Sequence, residues 1–164
     1  MHGLMQRRNL LISSVLEHAD RHHGAAEVVS HRDNGALSRT TYAELASRAR
    51  RLARVLSNLG VRPGDRVATL AMNSDRHLEL YYAISGIGAI CSTINPRLSH
   101  DDIAFIAHHV EDGLIFADPD FLPLSRTRGA ARSLRGQGTE MVYSGSGCHR
   151  GKHSSWRNRQ DSEE

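Results

Sequence analysis

Between Arg66 and Ala117 three short apolar runs alternate with two amphipathic ones, joined by links of a few residues, and this alternation leaves few folds open. Strand, helix, strand, helix, strand with short links makes two crossover units. Right-handed crossovers place such strands in a parallel sheet with helices against its faces. The apolar runs are Arg66 to Met72, Ala89 to Ile94 and Leu114 to Ala117. Asn73 or Ser74 can cap the first helix, which runs to about Ile87 with Leu78, Tyr81, Tyr82 and Ile84 available for burial. Asn95-Pro96 ends the second strand. Ser99 then caps a helix with Asp101 and Asp102 in its first turn and Ile103, Ile106, Ala107 and Val110 on its inner face.

Upstream, Leu11, Val15, Leu16 and Ala19 recur at helical spacing, so residues 9–22 read as an amphipathic helix that Gly24 stops. Glu27 to Arg32 and Leu37 to Thr40 flank Asp33-Asn34-Gly35, and Asn-Gly between β-prone pieces signals a hairpin. Thr41-Tyr42-Ala43-Glu44 matches a capping box and opens a long helix. Leu45, Ala49, Leu52, Leu56 and Leu59 form its apolar stripe, and Gly60 supplies the left-handed stop. Arg48, Arg50, Arg51 and Arg54 lie largely outside that stripe and read as a solvated face. Arg62-Pro63-Gly64-Asp65 is a turn leading into the sheet.

Apolar rhythm stops near Leu124. Residues 1–124 carry 13 basic and 14 acidic side chains, whereas residues 125–164 carry 8 and 4, so the net +3 of the chain comes from its last forty residues. Ser, Arg and Gly dominate there, Leu134, Met141, Val142 and Tyr143 keep no period, and the expectation is a disordered basic tail. Its composition resembles a GC-rich message read out of frame. The patterned part has no basic surplus and the basic part has little aromatic interleaving, which argues against a nucleic-acid partner.

Cys91 and Cys148 belong to no zinc-binding spacing, and so few cysteines suit a reduced, cytoplasmic setting. Arg7-Arg8 and the apolar residues up to Leu16 imitate a signal peptide. Asn9, Ser13 and Ser14 interrupt that run, however, and Glu17 and Asp20 follow it, so an amphipathic helix is the better reading. No run reaches the length of about 18 apolar residues that spans a membrane.

The helix after Thr41, the turn Leu59-Gly60-Val61-Arg62-Pro63-Gly64-Asp65-Arg66-Val67 and the stretch Ser92-Thr93-Ile94-Asn95-Pro96-Arg97-Leu98 together resemble the N-terminal region of the AMP-forming acyl-CoA synthetases. The medium- and long-chain fatty acid ligases are the nearest in kind. The likeness covers residues 9–124 and implies the first part of a larger α/β domain, an incomplete parallel sheet with helices on its faces. It also implies a two-step reaction using ATP, Mg and CoA. In the first step a carboxylate attacks the α-phosphate of ATP and pyrophosphate leaves. In the second the CoA thiol displaces AMP. The groups that the family uses for this chemistry follow the region matched here. The expectation is therefore no catalytic, cofactor-binding or metal-binding residue in this chain, and no cofactor held by it.

One stretch of the tail comes near a phosphate loop, Tyr143-Ser144-Gly145-Ser146-Gly147-Cys148-His149-Arg150-Gly151-Lys152-His153. Ser146 stands where the Walker pattern needs Gly, His153 stands where it needs Ser or Thr, and no clear strand precedes it. Cys148, His149 and His153 lack a fourth metal ligand. His22-His23 and His108-His109 suit the negative ends of helices. Cys91 reads as a small core residue, and Asn95-Pro96 as a strand terminator at the sheet end where α/β proteins bind ligands. Three functions stay open: an inactive fragment of a fatty acyl-CoA synthetase, a non-catalytic interaction module, or a subunit of a split ligase whose partner supplies the missing remainder.

Overall fold

The computed structural model describes residues 3, 11–31, 35–121, 133–136 and 139–143, the last two segments by their backbone. The chain runs α1 (Ser13–His23), β1 (Glu27–His31), β2 (Leu37–Thr41), α2 (Tyr42–Asn58), β3 (Arg66–Leu70), α3 (Asp75–Gly86), β4 (Ile90–Thr93), α4 (His100–His109) and β5 (Leu114–Ala117). A short 3-10 turn at Pro119–Phe121 follows, then β6 (Ser133–Gly136) and β7 (Thr139–Tyr143).

The body is the expected α/β arrangement. β3 pairs in parallel with β4 on one side, Val67 opposite Cys91, and with β5 on the other, Val67 opposite Leu114. Alternate residues of β3 and β5 face opposite layers. Val67, Leu114 and Phe116 meet Leu56 of α2 and Leu80 and Ile84 of α3, while Ala68, Leu70 and Ile115 meet Ile103 and Ala107 of α4. Both strands are covered on both faces, which is why they read as unbroken apolar runs rather than alternating ones. An outer layer forms where Leu16 of α1 packs on Leu45, Ala46 and Ala49 of α2 and on Leu78 and Tyr82 of α3.

Local signals place the helix ends. Thr41 accepts from the Glu44 N–H and the Glu44 carboxylate accepts from the Thr41 N–H, closing the capping box. Ser74 and Ser99 cap α3 and α4 through the backbone N–H groups of His77 and Asp102. Gly88 has φ +78°, and a Cβ there would lie 3.2 Å from that of Pro63, so the link from α3 to β4 needs glycine on two counts. The ribbon is antiparallel, Val29 opposite Arg39. Its turn residues Asp33 and Asn34 lie outside the described residues, as does the expected start of the first helix at residue 9.

Three expectations change. The sheet does not end at β5, because β7 pairs antiparallel with it, Leu114 opposite Tyr143, and β6 pairs with β7. The order β4-β3-β5-β7-β6 makes a mixed five-stranded sheet, so an unpatterned tail does not describe 133–136 and 139–143. The physical reason is the free edge of β5, whose unpaired N–H and C=O groups accept any β-capable backbone whatever its side-chain rhythm. The rest of 122–164 lies outside the described residues. A strand does therefore precede Ser144. Third, Arg48 is not part of a solvated face, as described next.

Candidate functional site

A groove of ≈ 680 Å³ opens at the carboxyl ends of β3 and β4, the end of a parallel sheet where ligands bind in α/β folds. Ala71, Ile94, Asn95 and Pro96 lie along the strand ends, Val28, Val29 and Ser30 of β1 form one wall, and the first turns of α3 form the other. Asn95 is a terminator, its Oδ1 accepting from the Arg97 N–H at 3.0 Å, and it also lines this groove. Sequence reading identified that pair. It missed the residues opposite.

The first turn of α3 carries Asp75 and His77. Asp75 is 1% exposed, and its N–H donates to Ser30 Oγ at 2.6 Å, fastening the helix start to the ribbon. Its carboxylate lies 3.5 Å from Arg48 Nη2, while Arg48 Nε lies 2.6 Å from Glu79 and Nη2 donates to Thr40 Oγ1 at 3.1 Å. Arg48 thus ties α2 to α3 and β2. The outward arginine is Arg50, which meets Asp20 of α1 with both Nη atoms at 3.0 Å. The Thr40 hydroxyl and Thr41 N–H hold the Glu44 carboxyl below its ordinary pKa.

His77 reaches into the sheet. Its Nε2 is 2.9 Å from the hydroxyl of Thr69, a fully buried residue of the central strand. Burial lowers the His77 pKa against the opposing pull of the Asp118 carboxylate and the Met72 backbone. Asp118 is itself fixed, Oδ2 accepting from the Met72 N–H at 2.9 Å. The N-cap spacing Ser74 to His77 was the only signal in the sequence for this placement.

Cys91 is half-buried against the core shared by α2 and α3, and burial pushes its thiol up to about 11 against the lowering effect of the Thr69 hydroxyl. A thiol held protonated is no nucleophile, in keeping with the core reading. Asp112, just past α4, is fully buried, and that burial raises its carboxyl to about 6 against the lowering effects of the Ser92 hydroxyl and Arg66.

The N-terminus of α3 is capped by the Ser74 hydroxyl, which accepts from the His77 N–H, and Asp75 places an acidic side chain in its first turn. The described residues that line the groove include no lysine or arginine. Among the described residues no group of three or more His, Cys, Asp or Glu could hold a metal ion. No described helix is long and apolar enough to cross a membrane. His108 and His109 end α4 as expected, with the His109 ring stacked on Phe105 at 5.5 Å. Cys148, His149, Lys152 and His153 lie outside the described residues.

Comparison with known proteins gives these features a context. The model of the AMP-binding enzyme family matches residues 15–163. A 3-methylmercaptopropionyl-CoA ligase from Ruegeria lacuscaerulensis is 45% identical over 143 residues, which is 87% of this chain and 25% of that protein. A medium-chain-fatty-acid–CoA ligase from Ectopseudomonas oleovorans is 48% identical over 124 residues, 76% of this chain and 23% of that protein. The inhibitor-bound N-terminal domain of FACL13 from Mycobacterium tuberculosis superposes with a TM-score of 0.62 at 28% identity, covering 70% of this chain and 28% of that one. The chain spans about a quarter of the length of the curated relatives it matches. Both the family match and the first of these alignments, longer than the 124 residues before the loss of apolar rhythm, run past Leu124. With nine-tenths of its residues inside that family match, this chain belongs to the AMP-binding enzyme family.

Proposed function

We propose that the chain is the N-terminal part of a fatty acyl-CoA ligase and that it is catalytically silent alone. The observation that carries the second half is the lining of the groove at the strand ends, which among the described residues includes no lysine or arginine to meet phosphate oxygens. Adenylate formation needs several donors converging on the triphosphate, and the described residues do not supply them. In the family reaction a carboxylate oxygen bonds to the α-phosphorus as pyrophosphate leaves, and ATP, Mg and CoA enter through residues beyond this body. Its partner in this reading is the remainder of a ligase, and its setting is cytoplasmic. The test is fatty-acid-dependent ATP–pyrophosphate exchange. The purified chain gives a blank, and mixing it with a separately expressed remainder of a medium-chain ligase restores exchange. Exchange by the chain alone, surviving repurification, refutes silence, and failure of every remainder to restore it counts against the ligase part.

One observation favours a second reading. β7 ends at Tyr143, directly before the Ser/Gly stretch that reaches Lys152, and the family match extends through it. In this reading Lys152 serves a residual phosphate loop. MgATP binding abolished by Lys152→Ala supports this reading, and no measurable MgATP binding removes it.

A further inference from the structure

His18 and His22 stand one turn apart on the exposed face of α1, with ring centroids 4.7 Å apart. His23 also approaches His18, at 5.7 Å. The opposite face of the helix is committed to the core through Leu16, so these rings do not serve packing. The helix-dipole account explains His22 and His23 in the last turn but not the convergence of His18 upon His22.

The separation can be compared with what a shared ion requires. With a zinc–nitrogen bond of about 2.0–2.1 Å, each ring centroid lies about 3.2 Å from the metal. Two such centroids are then about 4.5 Å apart when the ligands meet at a right angle, and about 5.2 Å apart at the tetrahedral angle. The His18–His22 distance lies between these limits, and the His18–His23 distance lies outside them. Spacing of four residues on a helix holds both imidazoles on one face. Their exposure leaves room for water to complete the coordination shell. The nearby Asp20 carboxylate is engaged by Arg50 and is not needed.

We propose that His18 and His22 form a two-histidine chelate for a borderline divalent transition ion, of the zinc, nickel and copper class that takes neutral imidazole. The ion would staple the last two turns of α1, independently of the ligase reading. It requires no third protein ligand.

The test is calorimetric titration of the full chain with Zn²⁺ after chelator treatment, in a His149→Ala/His153→Ala background that removes the histidines of the C-terminal stretch. One ion should bind at pH 7.5. His18→Ala and His22→Ala should each weaken it about tenfold or more, because the second ligand no longer acts intramolecularly. His23→Ala and His109→Ala should leave affinity unchanged. Both mutated histidines are exposed, so unchanged circular dichroism of the metal-free variants checks that the fold survives. No saturable binding in this background overturns the proposal, as does parental affinity retained in His18→Ala or in His22→Ala, or loss through His109→Ala.

Discussion

Replacing Arg48 by methionine keeps the aliphatic stem of the side chain and removes the guanidinium that joins α2 to α3. Three interactions go: 2.6 Å to Glu79, 3.5 Å to Asp75 and 3.1 Å to Thr40. Breaking a fully buried ion pair costs about 3–5 kcal/mol and an exposed one about 0.2–1 kcal/mol. Here the burial is split, since the Asp75 side chain is 1% exposed but that of Arg48 is 37% exposed. The longer contact is with the more buried partner, so a value of about 2 kcal/mol follows. For a chain of this size that lowers the melting temperature by about 4–8 °C. Urea unfolding followed by circular dichroism measures it. The double variant Arg48→Met/Asp75→Asn should lose about 1 kcal/mol less than the two single variants together, because the buried charge has gone with its partner. A single variant within about 0.5 kcal/mol of the parent, or a strictly additive cycle, refutes the claim that Arg48 braces the helices.

Other residues make separate predictions. The Asp112 carboxyl, raised to about 6 from an unfolded value of about 3.9, binds more protons folded than unfolded, so it lowers stability as pH rises from about 4 to 6. Asp112→Asn should therefore stabilise the chain at pH 7, on the order of 2 kcal/mol, and change little at pH 4; a loss of stability at pH 7 contradicts it. His77 has the opposite sign, its folded pKa being lowered, so its contribution is complete above about 6.5 and is lost as pH falls below that value. His77→Gln, which removes the titrating group, should cut this acid sensitivity, read from melting temperatures between pH 5 and 7. With its thiol pushed to about 11, Cys91 should react with iodoacetamide at pH 8 roughly a hundredfold or more slower than a free cysteine, and peptide mass mapping that finds equal rates rejects this. The outer edge of β4 bears no charge, and its Ile90 is 52% exposed, so Ile90→Lys should reduce light scattering on concentration. Unchanged or greater scattering would show that aggregation starts elsewhere.

What could be read in the sequence was what neighbouring residues decide among themselves. Thr41 and Glu44, Ser74 and His77, Ser99 and Asp102 are three residues apart, so each cap is written within one turn, and the helices begin where those pairs stand. The runs of β3 and β5 are equally plain, because burial on both faces leaves Thr69 as the one polar residue between Val67 and Leu70 of β3 and none in β5. What escaped depends on distant partners. Arg48 looks like its neighbours Arg50 and Arg51 until α3 brings Asp75 and Glu79 alongside it, 27 and 31 residues later. His77 shows its role only when β3 presents Thr69 and β5 delivers Asp118. β6 and β7 have the least legible sequence, since an antiparallel strand added to the edge of β5 is held by backbone groups that every residue except proline supplies. The sheet thus continues for two strands beyond the loss of side-chain rhythm after Leu124. By the same physics the outer edge of β4, which has no neighbouring strand among the described residues, can accept a further strand through its backbone groups alone.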